Sequence, residues 1–349
     1  EKQTFQIKPR GEDDQWILRP EMTPTLARMI AARSRELIFP VRYFNIGPRF
    51  RYEAPQKGRS REFWQTDFDI LGSNSVLCDA EILVSAISIL KKLGFTDDEF
   101  EVQLNSRSVL QEKLLEIGVR QEQIGDVLRD IDRMDKSKVE LDDSVKKLVD
   151  SPFDAQSDPY FKELFRYLKE YNVDKLCSVN LRVVRGLDYY TGLVFEIKKS
   201  TKGRSSSGGK DGFGRITLLG GGRYSNLISN FDSKAEISGV GFAVSDTALL
   251  AYLAEKNKLP VTSSKPTKVL VTVFNQETVN VSIAAVAHLR TEAIAAELYP
   301  ETDKKLDKQL KYADRNNIPY VLIIGPEEVA KNIYKLKDMK TKEQKELTK

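Results

Sequence analysis

Apolar and polar residues alternate in VRYFNIGPRFRYE (41–53) and EFWQTDFDIL (62–71). A period of two with aromatic and β-branched enrichment predicts two antiparallel strands, joined by the basic, turn-rich APQKGRSR. Ahead of them, TFQIKPR and QWILRP flank a turn at Gly11 to Asp14 and read as a hairpin. The sequence opens without Met, so a preceding segment is expected. After the strands the period becomes helical: Ile82, Leu83, Ala86, Ile87 and Leu90 predict a helix over about Asp79 to Lys92.

From 98 to 172 the text turns into short, charged, amphipathic helices such as RSVLQEKLLEIG and RQEQIGDVLRDIDRM, with Gly118 placed to stop the first. Strand-like sequence resumes in LCSVNLRVVRG and YTGLVFEIKKS, and the Gly/Ser/Lys-rich Lys199 to Gly212 reads as a flexible hairpin tip. RITLLGGGRYSNLI and ISGVGFAV follow, then a helix from about Asp246 to Lys256. The expected organisation is a core in two parts, 1–97 and 173–256, split by a helical insertion at 98–172. A Pro/Ser/Thr linker at 257–266 leads to a small α/β domain at 267–349 with a mainly parallel sheet.

Composition narrows the chemistry. The 349 residues are 40% hydrophobic and 30% charged, the balance of a folded globular protein, and no apolar run reaches the roughly 20 residues that span a bilayer. The default location is the cytosol. Two cysteines, Cys78 and Cys177, and one histidine, His288, supply neither a disulfide framework nor a spaced zinc-ligand set. His288 lies in the apolar helical run VSIAAVAHLR, so imidazole-dependent nucleophilic catalysis is excluded and the chemistry falls to Arg, Lys, Asp, Glu and Tyr. The net charge of +4 is mild, so any phosphate-binding surface must come from local clustering.

One such cluster is the hairpin FRYEAPQKGRSREFWQTDFD, with Arg51, Arg59, Arg61, Lys57 and Glu53 between aromatic strands. Planar guanidinium forks on a rigid sheet suit nucleotide phosphates; a solvated basic loop fits the spacing as well. The segment resembles motif 2 of class II aminoacyl-tRNA synthetases, with its Phe-Arg-x-Glu strand end. Pro55 to Arg59 and the Gln65-x-Asp67-x-Asp69 strand resemble the histidyl-tRNA synthetase family in particular, as does RGLDYYTG at 185–192, its histidine signature.

The resemblance implies a class II antiparallel-sheet catalytic core with a helical insertion and a C-terminal α/β anticodon-binding domain. It implies that histidine is activated with ATP and transferred to tRNA(His), with Mg2+ accompanying the ATP, by a homodimer. Arg51 would grip the α-phosphate, Glu53 would sit near the adenine and Arg59 would face the ATP phosphates. Arg185 would neutralise charge at the α-phosphate. Tyr189 belongs to the same signature; Tyr190, Tyr224 and Asp69 would surround the imidazole, whose donor and acceptor nitrogens a carboxylate and a phenol can satisfy. Glu21, Thr23 and Gln65 would hold the α-amino group. Gly220 to Gly222 would let the backbone approach the ligand.

The chain departs from type in motif 3. There the family's Glu-Arg pair, whose Arg holds the γ-phosphate, is replaced by Thr247 and Ala248, behind Ser245 and Asp246 that read as N-cap residues. Losing that guanidinium removes a bond worth roughly 1.5–3 kcal/mol unless a base such as Lys202, Arg204 or Lys210 substitutes. A catalytically impaired relative that binds histidine or tRNA as a regulator or sensor is therefore the second reading. In the C-terminal domain Lys304, Lys305, Lys308 and Lys311 are expected to place positive charge on one helix. The family's motif 1, which builds its dimer interface, is not found in the sequence.

Overall fold

The computed structural model describes residues 4–8, 11, 16–134, 139–200, 217–259, 267–302 and 304–348. The chain forms two compact units, Glu1–Leu259 and Pro260–Lys349. The first begins with an antiparallel pair, β1 (Gln6–Ile7) and β2 (Trp16–Ile17); between them residues 9, 10 and 12–15, and so most of the expected turn at Gly11 to Asp14, lie outside the described ones. Then come α1 (Thr23–Ala32), β3 (Val41–Phe50), β4 (Glu62–Leu71) and α2 (Val76–Lys92). The two alternating stretches are thus an antiparallel pair, registered Val41 to Leu71 through Phe50 to Glu62. Helix α2 starts three residues ahead of Asp79 because Ser75 caps it, its hydroxyl accepting from Leu77 N.

The unit continues through β5 (Phe100–Ser106), α3 (Arg107–Glu116), α4 (Ile124–Arg133), α5 (Asp143–Asp150) and α6 (Pro159–Glu170). It closes with β6 (Cys177–Val179), β7 (Leu193–Lys199), β8 (Thr217–Tyr224), β9 (Gly239–Ser245) and α7 (Asp246–Glu255). Seven strands make one sheet in the order β3-β4-β9-β8-β7-β5-β6, antiparallel except for the β5/β6 pair. The stretch 98–172 is not helical throughout: β5 belongs to this sheet, because Phe100, Val102 and Leu104 recur at the strand period and are buried. The proposed hairpin tip at 199–212 lies almost wholly outside the described residues, as do Lys202, Arg204 and Lys210.

Strand periodicity gives the sheet two different faces. Phe68 of β4, Phe242 of β9 and Phe195 of β7 pack together on one face, in a core with Ile82, Leu83, Ala86, Ile87 and Leu90 of α2. The alternate positions Gln65, Asp67 and Asp69 point to the other face, beside Gly241, Ala243 and Ser245 of the neighbouring strand. A smaller core joins α3, α4 and α5 to Leu181 and Val184, which run up to the signature segment.

The second unit contains β10 (Val269–Val271), α8 (Val279–Thr291), β11 (Ala296–Leu298), α9 (Leu306–Arg315), β12 (Tyr320–Ile323), α10 (Pro326–Ala330), β13 (Ile333–Asp338) and β14 (Gln344–Thr348). Its sheet order is β11-β10-β12-β13-β14. The first three strands are parallel, but β13 and β14 add an antiparallel hairpin, so the sheet is mixed and not mainly parallel. None of the β13 and β14 residues is fully buried, which denies that hairpin the apolar run that marks an inner strand. Lys308 and Lys311 lie on α9, while Lys305 is its N-cap residue and Lys304 precedes it, paired with Glu301 at 2.9 Å. His288 is exposed on α8.

Candidate active site

A single cavity over the polar face of the seven-stranded sheet is lined by the eleven residues expected to contact the substrates. They are Glu21 and Thr23 at the start of α1, Arg51, Glu53 and Arg59 of the β3–β4 connection, Gln65 and Asp69 of β4, Arg185, Tyr189 and Tyr190 of the signature segment, and Tyr224 of β8. The sheet itself carries three of them, Gln65, Asp69 and Tyr224, and the start of α1, the β3–β4 connection and the signature segment bring the other eight to it.

At one end, Asp69 is buried and accepts a 2.6 Å hydrogen bond from the Tyr224 hydroxyl on Oδ1. Its other oxygen has no hydrogen-bond partner among the described residues. Burial, partly offset by the Tyr224 bond, pushes the Asp69 carboxyl up to about 7. Tyr190 and Tyr224 are also buried, and burial raises both phenols. Tyr189 packs edge-on against Tyr224 and donates to Glu21 Oε2 at 2.8 Å. Burial raises Glu21, against that bond and the nearby Arg51.

Along β4 a relay holds the middle of the cavity. Gln65 Nε2 donates to Asp67 Oδ1 at 2.6 Å, and Arg51 Nη2 donates to Gln65 Oε1 at 3.3 Å. Arg51 is also tied down by a 2.9 Å bond from Nε to the Pro20 carbonyl and lies 5.1 Å over the Phe63 ring. Asp67 in turn is paired at 2.7 Å with Arg49, which is completely buried and also bonds Asn45. Arg49, next to last in β3 and two residues before Arg51, was missed in the sequence.

The arginine end is more open. Arg59 Nη1 meets Glu53 Oε2 at 3.2 Å, and Arg61 lies 4.4 Å over the Tyr52 ring, outside the cavity lining. Arg185 has φ 55° and faces Glu196 Oε1 at 3.8 Å. Ala248 lines the wall where the family's arginine is absent. Ser245 holds the N-cap position of α7, but its hydroxyl makes no cap bond; it pairs with Thr247 Oγ1 at 2.8 Å, and Thr247 donates to the Gly58 carbonyl at 3.2 Å. Asp246 joins the helix to β4 by accepting from Trp64 N at 3.1 Å.

The glycines of β8 and β9 make room for site side chains, not only for a ligand. A Cβ on Gly220 would stand 1.7 Å from Arg185 Nη1, and one on Gly241 would stand 2.1 Å from Asp69 Oδ1. The same relation links Gly222 to Tyr190 and Gly239 to Tyr224. Glycine every second residue on two adjacent strands therefore sinks the arginine, the carboxylate and both phenols into the sheet.

An antiparallel sheet carrying a bonded carboxylate-phenol pocket at one end and convergent arginines at the other is the core of a class II aminoacyl-tRNA synthetase. The comparisons with known proteins are specific. The profile described as histidyl-tRNA synthetase matches residues 1–152 and 126–249, and the anticodon binding domain profile matches 268–349. The histidine–tRNA ligase of Leptospira biflexa serovar Patoc is 33% identical over 98% of this chain and 81% of its own length. That of Helicobacter pylori strain J99 is 32% identical over 97% and 81%. The crystal structure of histidyl-tRNA synthetase from Nostoc sp. PCC 7120 shares the fold, with a TM-score of 0.71 at 24% identity over 99% of this chain and 84% of that one. The chain belongs to the histidyl-tRNA synthetase family.

Proposed function

We propose that this chain charges tRNA(His) with histidine, and that the cavity activates the amino acid with ATP. The observation that carries the reading is the buried Asp69–Tyr224 pair with Tyr190 beside it, on the same wall as Gln65 and facing three arginines. The imidazole N–H donates to the open Asp69 oxygen, and the phenols complete its polar edge; a side chain lacking those groups would leave buried polar atoms unpaired. Glu21, Thr23 and Gln65 hold the ammonium. Arg51 and Arg185 sit at the α-phosphate, Arg59 at the distal phosphates and Glu53 near the adenine.

In the first step a carboxylate oxygen of histidine attacks the α-phosphorus and pyrophosphate leaves. No residue has to move a proton, so catalysis is positioning and charge neutralisation by the guanidiniums. A terminal ribose hydroxyl of the tRNA then attacks the acyl carbon and AMP leaves. Magnesium accompanying the ATP would supply neutralisation of phosphate charge. Glu53 and Glu196, the carboxylates nearest the arginines, are each paired with a base and would be the side chains available to such an ion.

The proposal includes a cytoplasmic setting and a homodimer. Phe44 and Ile46, exposed on the edge strand β3, support an interface there, and sedimentation tests it. The second unit is assigned to the anticodon. No helix among the described residues is long and apolar enough to cross a membrane.

Histidine-dependent ATP–pyrophosphate exchange tests the activity, with tRNA charging as the second readout. The alternative, a regulator or sensor, is favoured only by Ala248 at the arginine's place. A fold likeness at TM-score 0.67 and 19% identity, over 89% of this chain and 82% of the other, to a Bacillus halodurans protein described as an ATP phosphoribosyltransferase regulatory subunit/histidyl-tRNA synthetase shows that the fold alone does not separate the two. Histidine binding without exchange at saturating ATP would establish the sensor.

A further inference from the structure

We infer that Arg107 is a positioning residue for the reaction, acting through the signature segment that carries Arg185 and Tyr190. The inference rests on the reading of the cavity given above. Arg107 is the first residue of α3, directly after β5, and is 6% exposed. Its guanidinium donates to four backbone carbonyls of one loop: Nε to Val184 at 3.3 Å, Nη2 to Arg185 at 2.8 Å, and Nη1 to Asp188 at 3.4 Å and Tyr190 at 3.3 Å. Its backbone N–H donates to the Gly192 carbonyl at 2.8 Å. Two residues earlier, Asn105 is fully buried and donates from Nδ2 to Leu181 and Val183 carbonyls, both at 3.1 Å.

The end of β5 therefore organises the loop from 181 to 192, which has no strand or helix of its own there. The need is physical. The loop holds Arg185 in the left-handed region at φ 55°, a conformation that a non-glycine residue keeps only when its surroundings enforce it. A planar fork with five N–H donors can bond several carbonyls at fixed angles; an ammonium cannot span the same set. Arg107 touches no reacting atom. By holding the carbonyls of Arg185 and Tyr190 it fixes where the first places its guanidinium, in the notch over Gly220, and where the second places its phenol, over Gly222.

The test is a double-variant cycle in histidine-dependent ATP–pyrophosphate exchange on the full chain, using Arg107→Lys and Arg185→Ala with their combination. The expected result for Arg107→Lys is a fall in kcat of about tenfold to hundredfold, with KM for ATP moved far less. In the Arg185→Ala background the same change should cost much less, because Tyr190 is then the only one of its two targets left. Multiplicative losses in the double variant, or wild-type kcat in Arg107→Lys, would overturn the inference. If Arg185→Ala itself retains full exchange, the reading of the cavity fails; if only Arg107→Lys is silent, that reading stands and this inference falls. Should Arg107→Lys not fold, Arg107→Met, which keeps the unbranched stem, runs the same cycle, with added guanidinium at low concentration expected to restore part of kcat.

Discussion

At the Asp69 end of the cavity the defining groups sit on or against strands and are bonded before any ligand arrives: Tyr224 to Asp69, Tyr189 to Glu21, Gln65 to Asp67. At the arginine end, Arg59 is 56% exposed, lies on the β3–β4 connection and is paired with Glu53, while Arg185 stands on a loop near Glu196. The first region is built largely on the sheet and is expected to reject what does not match it. The second has charges expected to exchange a protein carboxylate for a phosphate oxygen, most cheaply at Arg59, since Arg185 and Glu196 are each only 21% exposed. Discrimination is thus expected to be rigid and phosphate binding through Arg59 adaptable.

The hardest test of that contrast is Asp69→Ala. Removing the imidazole acceptor should lower kcat/KM for histidine by about a thousandfold or more, with KM for ATP nearly unchanged. An equal loss for both substrates would show that the two ends are not separable. The protonation of the same group gives the next effect. Its carboxyl, near 3.8 when unfolded and about 7 when folded, makes a stabilising contribution that is complete below the lower value and lost as pH rises through the upper one. The contribution is at most about 4 kcal/mol. Denaturation midpoints measured without ligand should therefore decline from pH 5 to pH 8 in the wild type, and Asp69→Asn should flatten that decline.

Gly220→Ala probes the other end. A methyl 1.7 Å from Arg185 Nη1 forces the guanidinium out of its notch, and a displacement of this size should reduce exchange by about a hundredfold with histidine affinity largely kept. Loss of histidine binding instead would mean that the notch serves the amino acid, and would move Arg185 to the wrong end of the comparison.

The rigid region was the legible one. The Gln65-x-Asp67-x-Asp69 pattern states in sequence that three polar side chains share one face, and the strand limits at 62–71 follow from the same alternation. The fold's sheet-bearing core was readable for that reason. What stayed hidden depends on contacts distant in the chain. Phe100–Ser106 is a seven-residue strand next to charged helical text, so its membership of the main sheet became visible only through its pairing with β7. Arg107 reads as an ordinary helix-start arginine, yet its partners lie more than seventy positions away. The glycines of β8 were read as room for ligand, and only the packed side chains show that they accommodate Arg185 and Tyr190.

The smallest effect concerns the departure in motif 3. Thr247, standing where the family carries glutamate, donates to the carbonyl of Gly58 and so ties α7 to the connection that bears Arg59. Gly58 has φ 77°, and its neighbours Gln56 and Arg59 close a tight turn by bonding each other. That turn fixes where Arg59 leaves the backbone, although its exposed side chain remains free to trade Glu53 for a phosphate. Thr247→Val keeps the shape and removes the bond, worth about 1 kcal/mol. The expected outcome is a rise of about fivefold in KM for ATP, with KM for histidine unchanged, because the Asp69 end is anchored on β4 and β8 and not on this turn. A matching rise for histidine would show that the turn sets the whole cavity, and the separation between a rigid amino-acid end and an adaptable nucleotide end would have to be given up.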